Sequence, residues 1–272
     1  MRHISTLRRH LAVLTLGGGL LLSTTFAHAQ LIQVTIQNLS PNHGTFLTPM
    51  WVGFHDGSFD TINLGAAASP AMERLAEDGN TAPISAAFMA SGAGAAQGTI
   101  LGPNIPPIAP GEMTSKLFML DGSQANSHYF SYASMVIPSN DAFVANDDPK
   151  ENMIFDASGH FLGADFYIQG SEVLDAGTEV NDELPANTAF FGQAAPNTGV
   201  DEHGVVHSHP GFHPKGSGGI LDSAKFANAD FTAQGYQIAH ITVRAVPEPS
   251  AMLSLGMGLM GLGGLLARRR RR

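Results

Sequence analysis

The chain has 272 residues, a net charge of −9 and no cysteine. So acidic a chain repels nucleic acid and anionic lipid, and without disulfides its stability has to come from a buried core. At 43% hydrophobic residues it has the material for one.

At the N-terminus, Arg2, Arg8 and Arg9 precede an apolar run over 11–22, which leads to Ala27-His28-Ala29. Basic start, apolar run and small residues at the cleavage positions make a secretory signal, 1–29, with cut before Gln30. About twelve apolar residues are too few to span a bilayer.

In the body, Ile32, Val34 and Ile36 alternate with Gln33, Thr35 and Gln37, the period of a half-buried strand. Turn residues over 38–44 end it, and 50–55 form a second apolar run holding the only tryptophan, Trp51. Ser69 as cap, Pro70 at the first position and Gly79 as stop frame a short helix carrying Met72, Leu75 and Ala76. The Ala-, Gly- and Pro-rich stretch 86–111 reads as loops around short strands. Strand patterns return at 115–120, 128–137, 165–168 and 236–243, and the polar, Gly-rich 199–230 reads as a long loop or an added hairpin. Many short strands broken by Gly, Pro, Asn and Asp predict an all-β fold, an antiparallel β-sandwich with one short helix and long loops, as one domain over 30–245.

The C-terminus carries Val246-Pro247-Glu248-Pro249-Ser250, an apolar stretch over 251–267 and Arg268 to Arg272. As a helix the stretch is roughly 25 Å long, at the lower limit for spanning, and the arginines belong on the cytoplasmic side. Triplet, apolar helix and arginine cluster together resemble a PEP-CTERM sorting signal. That resemblance implies an exosortase as processing partner and an exported protein at the cell surface or outside the cell. The apolar helix of 246–272, outside the domain, would hold it transiently in the inner membrane. With both ends removed, residues 30–245 keep six bases against 22 acids, a net charge of −16. Such a body favours cations as partners.

Two acidic clusters stand out. Pro138-Ser139-Asn140-Asp141 follows the strand over 128–137, and Asp175-Ala176-Gly177-Thr178-Glu179 follows a strand-like segment ending at Leu174. Carboxylates on turns at strand ends can converge on a hard cation, calcium taking six to eight oxygens. On the residues alone the alternative stands beside it, that these acids are turn formers.

The body also resembles the spondin N-terminal domain family. The similarity runs in order through Thr48-Pro49 to Gly53-Phe54-His55, the helix at 73–79, the strand ending in Pro138-Ser139-Asn140-Asp141, and Asp175-Ala176-Gly177-Thr178-Glu179. It covers roughly 31–198, the last two motifs being the specific ones. The resemblance implies an antiparallel β-sandwich that binds Ca2+ through Asp141, Asp175 and Glu179. It implies a non-enzymatic surface or matrix module, acting in adhesion or in association with exopolysaccharide or surface proteins. Glu179 stands where the family has aspartate, Asn140 and Ala142 replace the Pro and Trp that flank the first aspartate in animal members, and the animal cysteines are absent.

His203, His207, His209 and His213 fall within eleven residues, and imidazoles bind zinc or copper. Their spacing fits no standard zinc motif and Gly204, Pro210, Gly211 and Pro214 exclude a helix, so the expectation is exposed loop histidines. An extracellular metal-dependent enzyme built on 203–213, or a purely structural matrix protein, are the alternative functions. His55 beside Asp56 has no nucleophile elbow or cysteine near it and reads as packing, with no catalytic residue assigned.

Overall fold

The protein is described here as a computed structural model over residues 29–104 and 106–247. The expected signal sequence, except for its last residue, Ala29, and the apolar run and arginines of the tail lie outside the described residues. The strands before the sheet crossover are β1 (Ala29–Asn38), β2 (Phe46–Leu47), β3 (Met50–His55), β4 (Gly94–Ile100), β5 (Met113–Asp121) and β6 (Tyr129–Ile137). After it come β7 (Ala142–Ala145), β8 (Asn152–Met153), β9 (Ala164–Gln169), β10 (Leu174–Asp175), β11 (His207–Ser208) and β12 (Gln237–Ala245). Helices α1 (Pro70–Asp78) and α2 (Ala82–Ser91) join β3 to β4.

Two antiparallel sheets form. One has the order β5-β1-β12-β9; the other runs β11-β10-β7-β6-β3-β4, with β2 and β8 also paired to β6. Alternation decides what faces what. Ile32, Val34 and Ile36 of β1, Phe118 of β5 and Ile241 of β12 meet Val52 and Phe54 of β3 and Phe130 and Val136 of β6 in one core. This is the layered arrangement of an all-β sandwich.

β3 is buried along its whole length because both its faces are covered. Val52 and Phe54 point into the sandwich, whereas Trp51 points outward under the helices, packed with Met72, Leu75, Ile84, Phe88 and Phe143. That outer cluster explains the unbroken apolar run of 50–55, the pattern of a strand buried on both sides.

One element departs from the expectation. A second helix, α2, stands where loops around strands were expected. It is alanine-rich, which favours helix, but buries only Ile84 and Phe88, so it carries no broad apolar stripe to read. The 199–230 stretch is a long loop, as expected, holding the two-residue β11 and one 3-10 turn at Ile220–Asp222, and it is packed down on the body. Ile220, Leu221, Phe226 and Ala229 form a satellite core with Phe46, Phe191 and Phe212.

Register places the ends of the molecule. β12 pairs with β1 from Asn38↔Ala239 to Ile32↔Ala245, and the Val246 amide donates to the Leu31 carbonyl at 2.8 Å. The tail therefore leaves beside Leu31. Ile137 pairs with Phe46, and the Asn38 side chain holds the Thr45 carbonyl at 3.1 Å, so the turn after β6 lies at the opposite, Asn38 end. Seven residues of strand separate Leu31 from Asn38, about 23 Å.

Candidate functional site

The chain leaves β6 through a cis Ile137–Pro138 bond, and the next three side chains each organise a different piece of backbone. Ser139 Oγ donates to the Val136 carbonyl at 2.6 Å and accepts from the Ala142 amide at 3.1 Å, closing the turn into β7. Asn140, fully buried, reaches the 182–188 turn: its amide donates to Asp182, and its oxygen accepts from the Glu183 amide at 3.3 Å. Asp141 reaches the 175–179 turn. Its Oδ2 accepts from the Thr178 amide at 2.8 Å, the Thr178 hydroxyl at 3.2 Å and the Glu179 amide at 3.1 Å.

β10 pairs with β7 at Asp175↔Ala142, which puts Asp141 and Asp175 side by side at the sheet end. Asp175 Oδ1 accepts from the Gly177 amide at 2.7 Å, and its Oδ2 accepts from the Asn181 side chain. Gly177 is obligatory here: its φ is +65°, and a Cβ would come within 2.6 Å of the Val205 backbone. Glu179 turns back toward 199–201, where its Oε1 accepts from the Gly199 amide at 3.0 Å. Gly199 lies so close that a Cβ would sit 2.1 Å from the Glu179 carboxyl carbon.

The three acids named from the sequence are thus brought to one place and are all buried: Asp141 and Asp175 are 0% exposed and Glu179 is 2% exposed. A plain turn-forming acid keeps its carboxylate in water; these do not. Two of their oxygens, Asp141 Oδ1 and Glu179 Oε2, are buried without any hydrogen-bond partner. Such an atom in a folded protein calls for a ligand, a proton or a water.

The electrostatics agree. Burial pushes the Asp141 carboxyl up to about 6, helped by the charge of Asp175, while hydrogen bonds from Glu179 and Thr178 oppose the rise. Burial pushes Glu179 up to about 7; the Gly199 hydrogen bond opposes this, and the charges of Asp141 and Asp78 add to it. The charge of Arg74 on α1 opposes the rise at Glu179, but Arg74 is already held by Glu73, Glu77 and Asp78. Beside the turn lies a polar recess of about 280 Å³, lined by Glu73, Glu77, Thr178, Asp201 and His203.

Among the described residues, no group of three or more His, Asp or Glu side chains is already arranged to hold a metal ion. Both Asp175 oxygens are engaged by protein donors, so the free capacity is one oxygen each from Asp141 and Glu179. Those two oxygens are hard, anionic donors, the kind that favours hard cations over soft ones.

The histidines separate. His203, His207 and His213 are exposed as expected, but His209 is buried, 7% exposed, among Phe212 and Phe231. β11 pairs His207 with Asp175 and leaves its Nδ1 3.9 Å from Asp175 Oδ1. His213 stands over Glu183, whose buried carboxylate accepts the amides of His213 and Ile220 and so pins the 199–230 segment. His55 is core: fully buried, Nε2 2.8 Å from Ser131 Oγ and Nδ1 accepting from the Gly57 amide. Sequence reasoning named Asn140 only as a departure from the family motif and missed Asn181 and Glu183. An isolated amide or acid in a loop carries no period, and only the folded chain shows what it holds.

The PEP-CTERM protein-sorting motif matches residues 245–272. This is a sorting signal read by an exosortase, and it marks the chain as an exported protein that transits the membrane. No curated protein matches the chain. Among the described residues, no helix is long and apolar enough to cross a membrane, and the apolar run of the tail lies outside them.

Proposed function

We propose that residues 30–245 form a calcium-binding module of the spondin N-terminal type, displayed at the cell surface or in the surrounding matrix. It works by binding, in adhesion or exopolysaccharide association, rather than by catalysis. One observation carries the reading: Asp141 Oδ1 and Glu179 Oε2 are buried without partners on two turns that Asp141 itself ties together. A calcium ion accepting those two oxygens would replace repulsion among three buried acids by shared ligation. Asp175 would add a third ligand on yielding its bond with Asn181, and the remaining positions would fall to carbonyls and water. The resemblance of the two acidic motifs to the spondin domain supports the same assignment, as an analogy.

The tail fits a display role. It leaves at the Leu31 end of the sandwich, while the acidic turns sit at the Asn38 end, so a tether held at the tail would point the turns outward. The experiment is metal analysis of the exported protein purified without chelator. Stoichiometric calcium supports the module. Stoichiometric zinc or copper instead would favour the second reading, an enzyme using 203–213, for which His207 beside Asp175 and the unpartnered Nε2 of His209 are the relevant observations.

A further inference from the structure

A second concavity is separate from the acidic turns. It is an open cleft of about 740 Å³ at the Asn38 end, between the turn after β1, the 212–233 segment and the entry to β12. Its walls include the partly exposed rings of Phe212 and Tyr236. Its polar groups are Lys215, Asn228, Asp230 and Thr232.

These groups have capacity left over. Asp230 Oδ1 takes the Thr232 amide and hydroxyl, leaving Oδ2; the Asn228 amide nitrogen holds the Asn42 carbonyl, leaving its oxygen. The ammonium of Lys215 makes no ion pair among the described residues. A carboxylate, an amide and an ammonium around a ring-walled cleft match a ligand with alternating C–H faces and hydroxyl pairs. A drug-sized ligand fits sites of roughly 300–1,000 Å³. Charge selects among such ligands. The cleft holds one cation against one anion, on a body of net charge −16, so a polyanion is repelled and a neutral polyol is not.

We propose that this cleft binds a segment of a neutral polysaccharide, with the Phe212 and Tyr236 rings against sugar faces and Lys215, Asn228 and Asp230 on hydroxyls. This deepens the reading of the body as a polymer-associating module and rests on it, but does not need calcium. The cleft opens at the same end as the acidic turns, away from the exit of the tail, where a surface polymer would meet it.

The test is titration of the exported protein, by calorimetry, with a panel of neutral hexasaccharides built from glucose, mannose, galactose and N-acetylglucosamine, and with hexagalacturonate as the anionic comparison. At least one neutral member should bind with a Kd of about 1 mM or tighter. Ala233→Trp, which fills the cleft from an exposed position, and Lys215→Gln should each weaken it about tenfold or more. Neither variant should change the melting temperature or its response to calcium, which keeps this outcome apart from that of the calcium site. Failure of every neutral hexasaccharide to bind, tighter binding of hexagalacturonate, or unchanged binding by both variants overturns the proposal.

Discussion

Asp141 shows how a single side chain can join two turns and still have an oxygen to offer. Three donors converge on Oδ2 while Oδ1 has none, an imbalance that a cation, a proton or a water would relieve. The raised carboxyls make this measurable as a pH dependence. An acid whose folded pKa lies above its unfolded value stabilises the fold below the unfolded pKa, and that stability is lost as pH rises through the folded value. For Asp141 and Glu179 the loss runs from about 4 up to about 7. His55 and His209, pushed down to about 4 by burial, act in reverse: their contribution is present above 6.5 and disappears as pH falls. Between pH 6.5 and 8 the histidines of the unfolded chain lose their remaining protons, which raises stability and offsets the carboxylate loss, so the carboxylates are isolated by comparison with the double variant Asp141→Asn/Glu179→Gln. With chelator present, wild type should lose about 1 kcal/mol relative to that variant over the window, roughly 2–4 °C in melting temperature. Saturating calcium should flatten the difference, and a chelated pair with the same pH dependence would mean that the two carboxyls are not raised. The sequence pointed to Asp141, Asp175 and Glu179 through their motifs. It gave no sign that His209, in the same polar loop as His207, would be buried by Phe212 and Phe231.

At the scale of elements, the site depends on what holds the two turns and the helix beside them. Helix α1 was legible from its punctuation: Ser69 accepts from the Met72 amide at 3.3 Å, Pro70 opens the helix, and Gly79 closes it at φ +65°. It carries Glu73 and Glu77 to the polar recess and Arg74 among its acids. Ser69→Ala should cost about 1 kcal/mol, a drop of roughly 2–4 °C by thermal denaturation, with the calcium response retained. A loss of the calcium response would place α1 inside the site instead of next to it. Strands that alternate, such as β1, were equally legible, because period two survives wherever one face is wet. Helix α2 was not, since its buried face is only Ile84 and Phe88. Nor was the satellite core of Ile220, Leu221 and Phe226, whose apolar residues are spread through a stretch of glycine and polar residues.

For the whole molecule, the sandwich has two distinct ends: the tail leaves beside Leu31, and the acidic turns and the cleft lie beyond Asn38. The tail was the clearest signal in the sequence, because a sorting motif must be read as a linear string, without a fold. Exported through a host with an exosortase, the protein should show an intact mass lacking Arg268 to Arg272; recovery of full-length chain alone would make the tail a plain anchor. The acidic turns were legible only as motifs, since their burial depends on β7, β10 and the 199–204 segment closing over them. Calcium-dependent melting at pH 7.5 tests the central claim most directly, comparing the exported protein with Asp141→Asn and Glu179→Gln. A ligand binding only the folded state stabilises it by about 2.7 kcal/mol at a hundredfold excess over Kd, so millimolar calcium should raise the wild-type melting temperature by roughly 5–10 °C, and magnesium less. Asp141→Asn should melt a few degrees higher than wild type in chelator, about the relief of one buried charge, yet gain almost nothing from calcium. Glu179→Gln should likewise lose most of the gain. Equal calcium shifts in all three proteins, or none in wild type, would contradict a calcium site on these turns.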